Sequence, residues 1–121
     1  MRNAILLPNG IVLTTDNSAA IGEKENDVVS ISDEAVAYFA ARVSILEQWA
    51  ASAYPQTIVV HNFSGNDSWN KYIKGIKKLF NEIAEECPTI TGSSETNIET
   101  MQSAVAITML GQQQLKHDQD V

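Results

Sequence analysis

Apolar positions along the chain alternate between strand-like runs and helical stripes. Residues 4–7 and 11–15 are aliphatic or β-branched, and Pro8-Asn9-Gly10 between them is a turn signal, so a β-hairpin is expected at the start. A polar stretch occupies 16–27, with a short extended piece at 28–31. Ser32-Asp33-Glu34 then puts a capping side chain and two carboxylates where a helix start favours them. Val36, Phe39, Ala40, Val43, Leu46 and Ala50 recur near the helical period, and Pro55 stops that helix at about Ala53. Its many alanines suit close approach to a sheet. Residues 57–60 form a continuous β-branched run typical of a covered strand, and 61–63 can extend it. After the loop at 64–68, Trp69, Tyr72, Ile73, Ile76, Phe80, Ile83 and Ala84 make one apolar helical stripe. Asp67 or Ser68 is the expected N-cap, and Pro88 follows the end. Residues 89–91 read as a strand, 92–97 as a polar loop and 101–110 as a last β-rich run.

The expected order is β-β-α-β-α-β-β, an α+β fold with two helices on one face of a mixed sheet. No repeat or linker divides it, so residues 1–111 form one domain and 112–121 a polar, frayed tail. Thr14, Val105, Ile107 and Met109 alternate in strands with too few helices to cover both faces. The uncovered face is therefore expected to bury itself against a second copy, sheet to sheet.

Charge narrows the partners. The 121 residues carry 15 acids against 8 lysines and arginines, a net charge of -7. A sequence-independent nucleic-acid binder needs a basic face to displace counterions, and an anionic membrane surface asks for the same. Neither partner is expected. The single cysteine, Cys87, excludes an internal disulfide, and no apolar run approaches the roughly 20 residues that span a bilayer. The opening apolar stretch is too short for a signal peptide, which makes the cytoplasm the expected compartment.

Candidate chemistry gathers at strand ends. Asp16 and Asn17 follow the second strand, Glu95 follows Gly92-Ser93-Ser94, and Glu47 lies in the alanine-rich helix beside its apolar stripe. Carboxylates so delivered are the ligand type that holds Mg²⁺ together with nucleotide phosphates. Each also has a plain reading: Asp16 as a turn former, Glu95 as a solvated loop residue, Glu47 as an exposed helical acid. His61 and His117 stand apart with no second His or Cys at ligand spacing, which argues against structural zinc. The common glycine-rich phosphate loops are absent, and no residue presents itself as catalytic.

The same segments carry a family resemblance. Thr14-Thr15-Asp16-Asn17, the helix end Leu46-Glu47-Gln48-Trp49-Ala50-Ala51-Ser52-Ala53-Tyr54-Pro55, and Thr91-Gly92-Ser93-Ser94-Glu95-Thr96 followed by Ser103-Ala104-Val105-Ala106-Ile107 stand in order and spacing. Together they resemble the N-terminal, ATP-binding half of the PurM superfamily, which includes aminoimidazole ribonucleotide synthetase, thiamine-monophosphate kinase, selenophosphate synthetase and HypE. Within it, Asp16-Asn17-Ser18-Ala19-Ala20-Ile21-Gly22, Arg42-Val43-Ser44-Ile45-Leu46-Glu47, His61-Asn62-Phe63-Ser64-Gly65 and Thr91-Gly92-Ser93-Ser94-Glu95-Thr96-Asn97 are most similar to α-ribazole kinase of cobalamin salvage. The resemblance implies a sheet-to-sheet homodimer with ATP-Mg²⁺ sites near its interface and a small-molecule phosphoryl acceptor. It implies Asp16, Glu47 and Glu95 as Mg²⁺ ligands, with Asn17 and Asn97 as polar neighbours of the nucleotide.

Departures from the family pattern matter. Ser93 and Ser94 replace a glycine pair, Ser52-Ala53-Tyr54-Pro55 replaces a Gly-Ala-x-Pro turn, and a glycine-rich leading segment is missing. The second domain that helps build the substrate site lies outside these residues. The expectation is an ATP-binding half that is catalytically incomplete alone and works with a separate C-terminal-like half. The alternative is a stand-alone, non-catalytic dimeric binding or regulatory module.

Overall fold

A computed structural model describes residues 4–114. The hairpin forms as expected: β1 (Ile5–Leu7) and β2 (Ile11–Ala19) are antiparallel, and the one-turn 3-10 connection Pro8–Gly10 places Asn9 at φ 68° and Gly10 at φ 76°. Two residues with positive φ in succession are what Asn-Gly tolerates. The strand β2 runs four residues beyond its apolar part because β7 (Ala104–Gln113) pairs with it as far as Ala19 opposite Ala104. Asp16 and Asn17 therefore lie inside a strand, not after it.

A minor parallel pair, β3 (Ile21–Gly22) with β4 (Val29–Ser30), precedes α1 (Asp33–Ala50). The Ser32 hydroxyl oxygen accepts the Ala35 N–H at 3.1 Å, the expected N-cap. The helix ends at Ala50, short of Ala53, because Ser52 turns at φ 61° into the long strand β5 (Ala53–Asn62). Pro55 sits in β5 without a ladder hydrogen bond to donate, next to a register shift between Pro55 and Thr57 against β7. Next comes α2 (Asn66–Glu82), capped at Gly65 with no side-chain hydrogen bond, so neither Asp67 nor Ser68 serves as the cap. Ser68 is diverted to Asp33, as described below. The strand β6 (Thr89–Ser94) takes in Gly92, Ser93 and Ser94, which read as loop by composition, because β5 offers them a parallel ladder up to Asn62 opposite Ser94.

The main sheet has the order β1-β2-β7-β5-β6, and both helices cover one face, as the pattern implied. The core joins Ala37, Ala41 and Ile45 of α1 and Tyr72, Ile76, Leu79 and Phe80 of α2 to Ile58, Val60, Val105, Ile107 and Met109. Thr14, Val105, Ile107 and Met109 thus face the helices, contrary to the reasoning that pointed them at a second copy. The face without helices carries Leu13, Thr15, Val59, Ala106, Thr108 and Leu110, all half-buried, and exposed His61.

One rotation of α1 departs from the apolar count. Its sheet side is built from Val36, Ala37, Ala40, Ala41, Ser44, Ile45 and Gln48, while Phe39, Val43 and Leu46 point outward. A buried polar cluster explains this. Gln48 Nε2 donates to Val12 O at 2.9 Å and Met109 O at 3.1 Å, and Thr14 Oγ1 lies 2.8 Å from Ser44 Oγ. Turning the leucine and valine inward would strand those carbonyls and hydroxyls away from water. The strand β7 continues through Gln113, two residues past the expected domain boundary at 111; residues 115–121 of the expected tail lie outside the described residues.

Candidate functional site

Since β7 is antiparallel to both β2 and β5, and β6 is parallel to β5, the strands β2, β5 and β6 end at the same edge of the sheet. The N-termini of α1 and α2 come to that edge too, tied together where Ser68 Oγ donates to Asp33 Oδ2 at 2.7 Å. This is where strand carboxyl ends and helix dipoles converge, the favoured place for ligands in such sheets.

Three hydrogen-bonded knots shape the edge. Asn62 is buried at the end of β5; its Nδ2 donates to Gly65 O at 2.8 Å and Ser94 Oγ at 2.9 Å, and its Oδ1 accepts the Ser64 N–H at 2.8 Å. Beside it, Ser64 Oγ meets the Tyr72 hydroxyl at 2.7 Å, and burial pushes the Tyr72 phenol up to about 12. The second knot holds the loop before β4. Asp27 accepts the Ser103 N–H and hydroxyl, each at 2.7 Å, and the Lys24 N–H at 2.9 Å. Burial works to raise the Asp27 carboxyl, but those donors outweigh it and hold it below its usual value. The third knot is Glu23, which accepts the Asp33 N–H at 2.8 Å and pairs with Lys71 at 2.6 Å, so its carboxyl is also lowered. Asp33 itself is buried with one oxygen, Oδ1, lacking a hydrogen-bond partner among the described residues. Burial raises its carboxyl, and the nearby Glu23 and Asp27 charges add to the shift against the Ser68 hydrogen bond.

A groove of about 390 Å³ opens between these knots, lined by Lys24, Gly65, Asn66, Asp67, Glu95, Thr96 and Glu99 among others. The Lys24 ammonium reaches across to Thr100 O at 2.8 Å, tying the loop at 24 to the loop that follows β6. At Gly65 (φ +111°) a Cβ would meet nothing within 4 Å, so that wall is open.

The residues singled out by sequence are placed separately. Glu95 lines the groove, and its Oε2 accepts the Asn97 N–H at 2.8 Å, which brings Glu95 and Asn97 together. Asp16 is opposite Ile107 in β2, on the helix-covered side. The register Asp16–Ile107–Val60–Gly92 sets it three strands from β6, about 14 Å at ordinary strand spacing. Burial raises the Asp16 carboxyl, opposed by the Asn17 N–H. Asn17 is exposed on the face without helices. Glu47 is half-buried one turn beyond Ser44, which packs on Thr14, so it lies toward the other end of β2 from Asp16. Among the described residues, no three His, Cys, Asp or Glu side chains gather to hold a metal ion. Asn62, Ser64, Asp27, Asp33 and Ser103 shape the edge without having been singled out. Asn62 followed by Ser64-Gly65 at a strand end carries the pattern of an Asx turn, a signal available in the sequence.

No protein-family model and no curated protein sequence matches the chain. Solved structures share its fold at low identity. Thiamine-monophosphate kinase from Aquifex aeolicus superposes with TM-score 0.69 and 14% identity over 93% of this chain and 37% of its own. The same kinase with AMPPCP and TMP gives 0.57 and 16% over 89% of this chain and 34% of its own. The HypE–HypF complex gives 0.59 and 14% over 95% and 37%. Escherichia coli TdcF with bound serine gives 0.58 and 9%, but there the match covers 92% of this chain and 86% of that one. The chain therefore spans about a third of the length of the kinase and HypE chains it matches. Its fold is thus one that recurs as a domain-sized part of the thiamine-monophosphate kinase and HypE–HypF structures and as most of the TdcF chain.

Proposed function

We propose that this chain is the ATP-binding half of a small-molecule kinase or ATP-dependent synthetase of the PurM type, incomplete without a second half. The observation that carries the reading is the match of nearly the whole chain to about a third of a kinase that was also solved with an ATP analogue and its substrate. On this reading the edge formed by β2, β5 and β6 receives the nucleotide, with Asp16, Glu47 and Glu95 as acids and Asn17 and Asn97 as polar neighbours. These acids do not fit one Mg²⁺ within a single chain, since Asp16 is in β2, Glu47 in α1 and Glu95 past the end of β6, and no triad forms among the described residues. Pairing through the face without helices would not join them either, because Asp16 and Glu47 lie on the helix-covered side, so any Mg²⁺ would have to come with the nucleotide phosphates. α-Ribazole is the acceptor to try first, from the resemblance of the Asp16–Gly22 and Thr91–Asn97 segments.

A second reading is a stand-alone binding or regulatory dimer without turnover. The TdcF match favours it, because there a single domain of this fold covers most of a whole chain. Calorimetry with AMPPCP, with and without Mg²⁺, separates the two. The kinase-type reading expects Mg²⁺-dependent binding that weakens when Asp16→Asn and Glu95→Gln are combined. A folded dimer, its mass fixed by light scattering, that ignores the nucleotide would leave the stand-alone reading.

A further inference from the structure

Asp33 is buried at the ligand edge, 2% exposed, with one oxygen left over. Its Oδ2 accepts the Ser68 hydroxyl at 2.7 Å, and its Oδ1 meets no hydrogen-bond partner among the described residues. Three N–H groups of the first turn of α1 are already taken. The Asp33 N–H goes to Glu23 at 2.8 Å, the Ala35 N–H to Ser32 Oγ at 3.1 Å and the Val36 N–H to Ser32 O at 3.1 Å. The groups that face Asp33 do not favour a charge there either. Glu23 and Asp27, from the loop before β4, repel it; Lys71 of α2 attracts it but is already paired with Glu23 at 2.6 Å. Tyr72 of α2 turns its hydroxyl to Ser64, and Glu34, next in α1, lies 4.0 Å from Lys74. Burial raises the carboxyl first of all, with the Ser68 hydrogen bond and Lys71 working against it.

A proton resolves the mismatch. The start of a helix favours negative charge, but only modestly, whereas a carboxylate stripped of water and left short of donors is among the costliest groups to bury. Protonated on Oδ2, Asp33 donates to the Ser68 hydroxyl, and Oδ1 becomes a neutral carbonyl oxygen whose burial costs far less. The place of this carboxyl gives its proton a mechanical consequence. Through Ser68 it fastens the start of α1 to the start of α2, and its own N–H fastens both to the loop through Glu23, whose second oxygen takes Lys71. That loop carries Lys24 and the start of α2 carries Asn66 and Asp67, all of which wall the groove.

We propose that Asp33 is a proton-operated latch on the ligand edge. Protonated, it holds the starts of α1 and α2 and the loop at 23–27 closed. Ionised, it parts from Ser68, draws water to both oxygens and loosens the groove wall. The latch is independent of which ligand the edge receives. Carboxyl NMR of isotope-labelled protein and amide hydrogen exchange, corrected for the intrinsic pH dependence of exchange and followed together on the full chain, test it. Protection at the Asp33 and Ser68 amides is expected to fall by up to about tenfold per pH unit from about pH 4, the solvated value, to the Asp33 midpoint, and to level off above it. The proton bound by the closed form alone sets that slope. Asp33→Asn keeps a neutral group that can donate to Ser68, so its protection is expected to stay high and flat. Ser68→Ala, which removes the α2 end of the latch, is expected to lower protection at acid pH toward the wild-type neutral value. An Asp33 midpoint at the ordinary aspartate value, protection that does not change with pH, a wild-type pH dependence in Asp33→Asn, or full acid protection in Ser68→Ala would each overturn the proposal.

Discussion

At Gly75 the backbone of α2 lies directly against that of α1, and Gly75→Ala tests how rigidly the two helices set the ligand edge. A Cβ there would stand 2.1 Å from Glu34 O and 3.0 Å from Tyr38 N, both backbone atoms of α1 that no rotamer change can move. Ordinary carbon–oxygen contact needs about 3.3 Å, so the helices must part by about 1 Å, which forfeits a quarter to a half of the dispersion attraction across that contact. Overpacking of this kind costs up to about 3 kcal/mol, while replacing a mid-helix glycine by alanine returns about 1 kcal/mol through propensity. The net loss is about 2 kcal/mol. With an unfolding entropy near 2.1 cal/mol/K per residue, a chain this size loses about 4 °C per kcal/mol, or about 8 °C in all. Thermal unfolding followed by circular dichroism at 222 nm measures it, with Asn70→Ala on the exposed side of α2 as the control for propensity alone. The control should gain a few tenths of a kcal/mol. Gly75→Ala melting at or above the wild type would refute the close crossing and, with it, the distance that lets Ser68 reach Asp33.

The remaining expectations concern the same edge. Because burial raises the Asp33 carboxyl in the folded state, the native protein holds that proton more tightly than the unfolded chain. Its ionisation therefore erodes stability as pH climbs from about 4, the unfolded value, through the raised folded value. Asp33→Asn should flatten this slope in urea titrations between acid and neutral pH, and an unchanged slope would contradict the burial argument. Asn62→Ala removes partners of Gly65 O, Ser94 Oγ and the Ser64 N–H together, which should cost about 2–3 kcal/mol. Hydrogen exchange at the Ser64 amide should accelerate in that variant, and full protection there would show that the knot is closed by something else. Gly92→Ala should be among the most damaging single changes, because its Cβ would lie 1.9 Å from Val60 O at φ +145°; expression as a stable, folded protein would refute the placement of β6.

Local patterns determined much of the molecule. The Pro8-Asn9-Gly10 turn, the Ser32 cap, the stripe of α2 and the β-branched run in β5 each depend on neighbours in sequence, so they were legible there, as was the placement of both helices on one face. What the chain alone left open depends on partners far away. The strand character of Asp16, Asn17, Gly92, Ser93 and Ser94 comes from ladders donated by β7 and β5, which override their polar, loop-like composition. The rotation of α1 follows from Gln48 and Ser44 meeting Val12, Thr14 and Met109, contacts 30 to 61 residues apart. Spacing could bring Asp16, Glu47 and Glu95 to mind as one set, because residue type is local, but whether carboxylates share a site is decided by strand order. Here that order puts β7 and β5 between Asp16 and Glu95 and sends Glu47 toward the other end of β2. The acids whose charges do act on one another, Glu23 and Asp27 on Asp33, come near because a short loop is folded back over the N-termini of two helices, a proximity that no periodicity encodes.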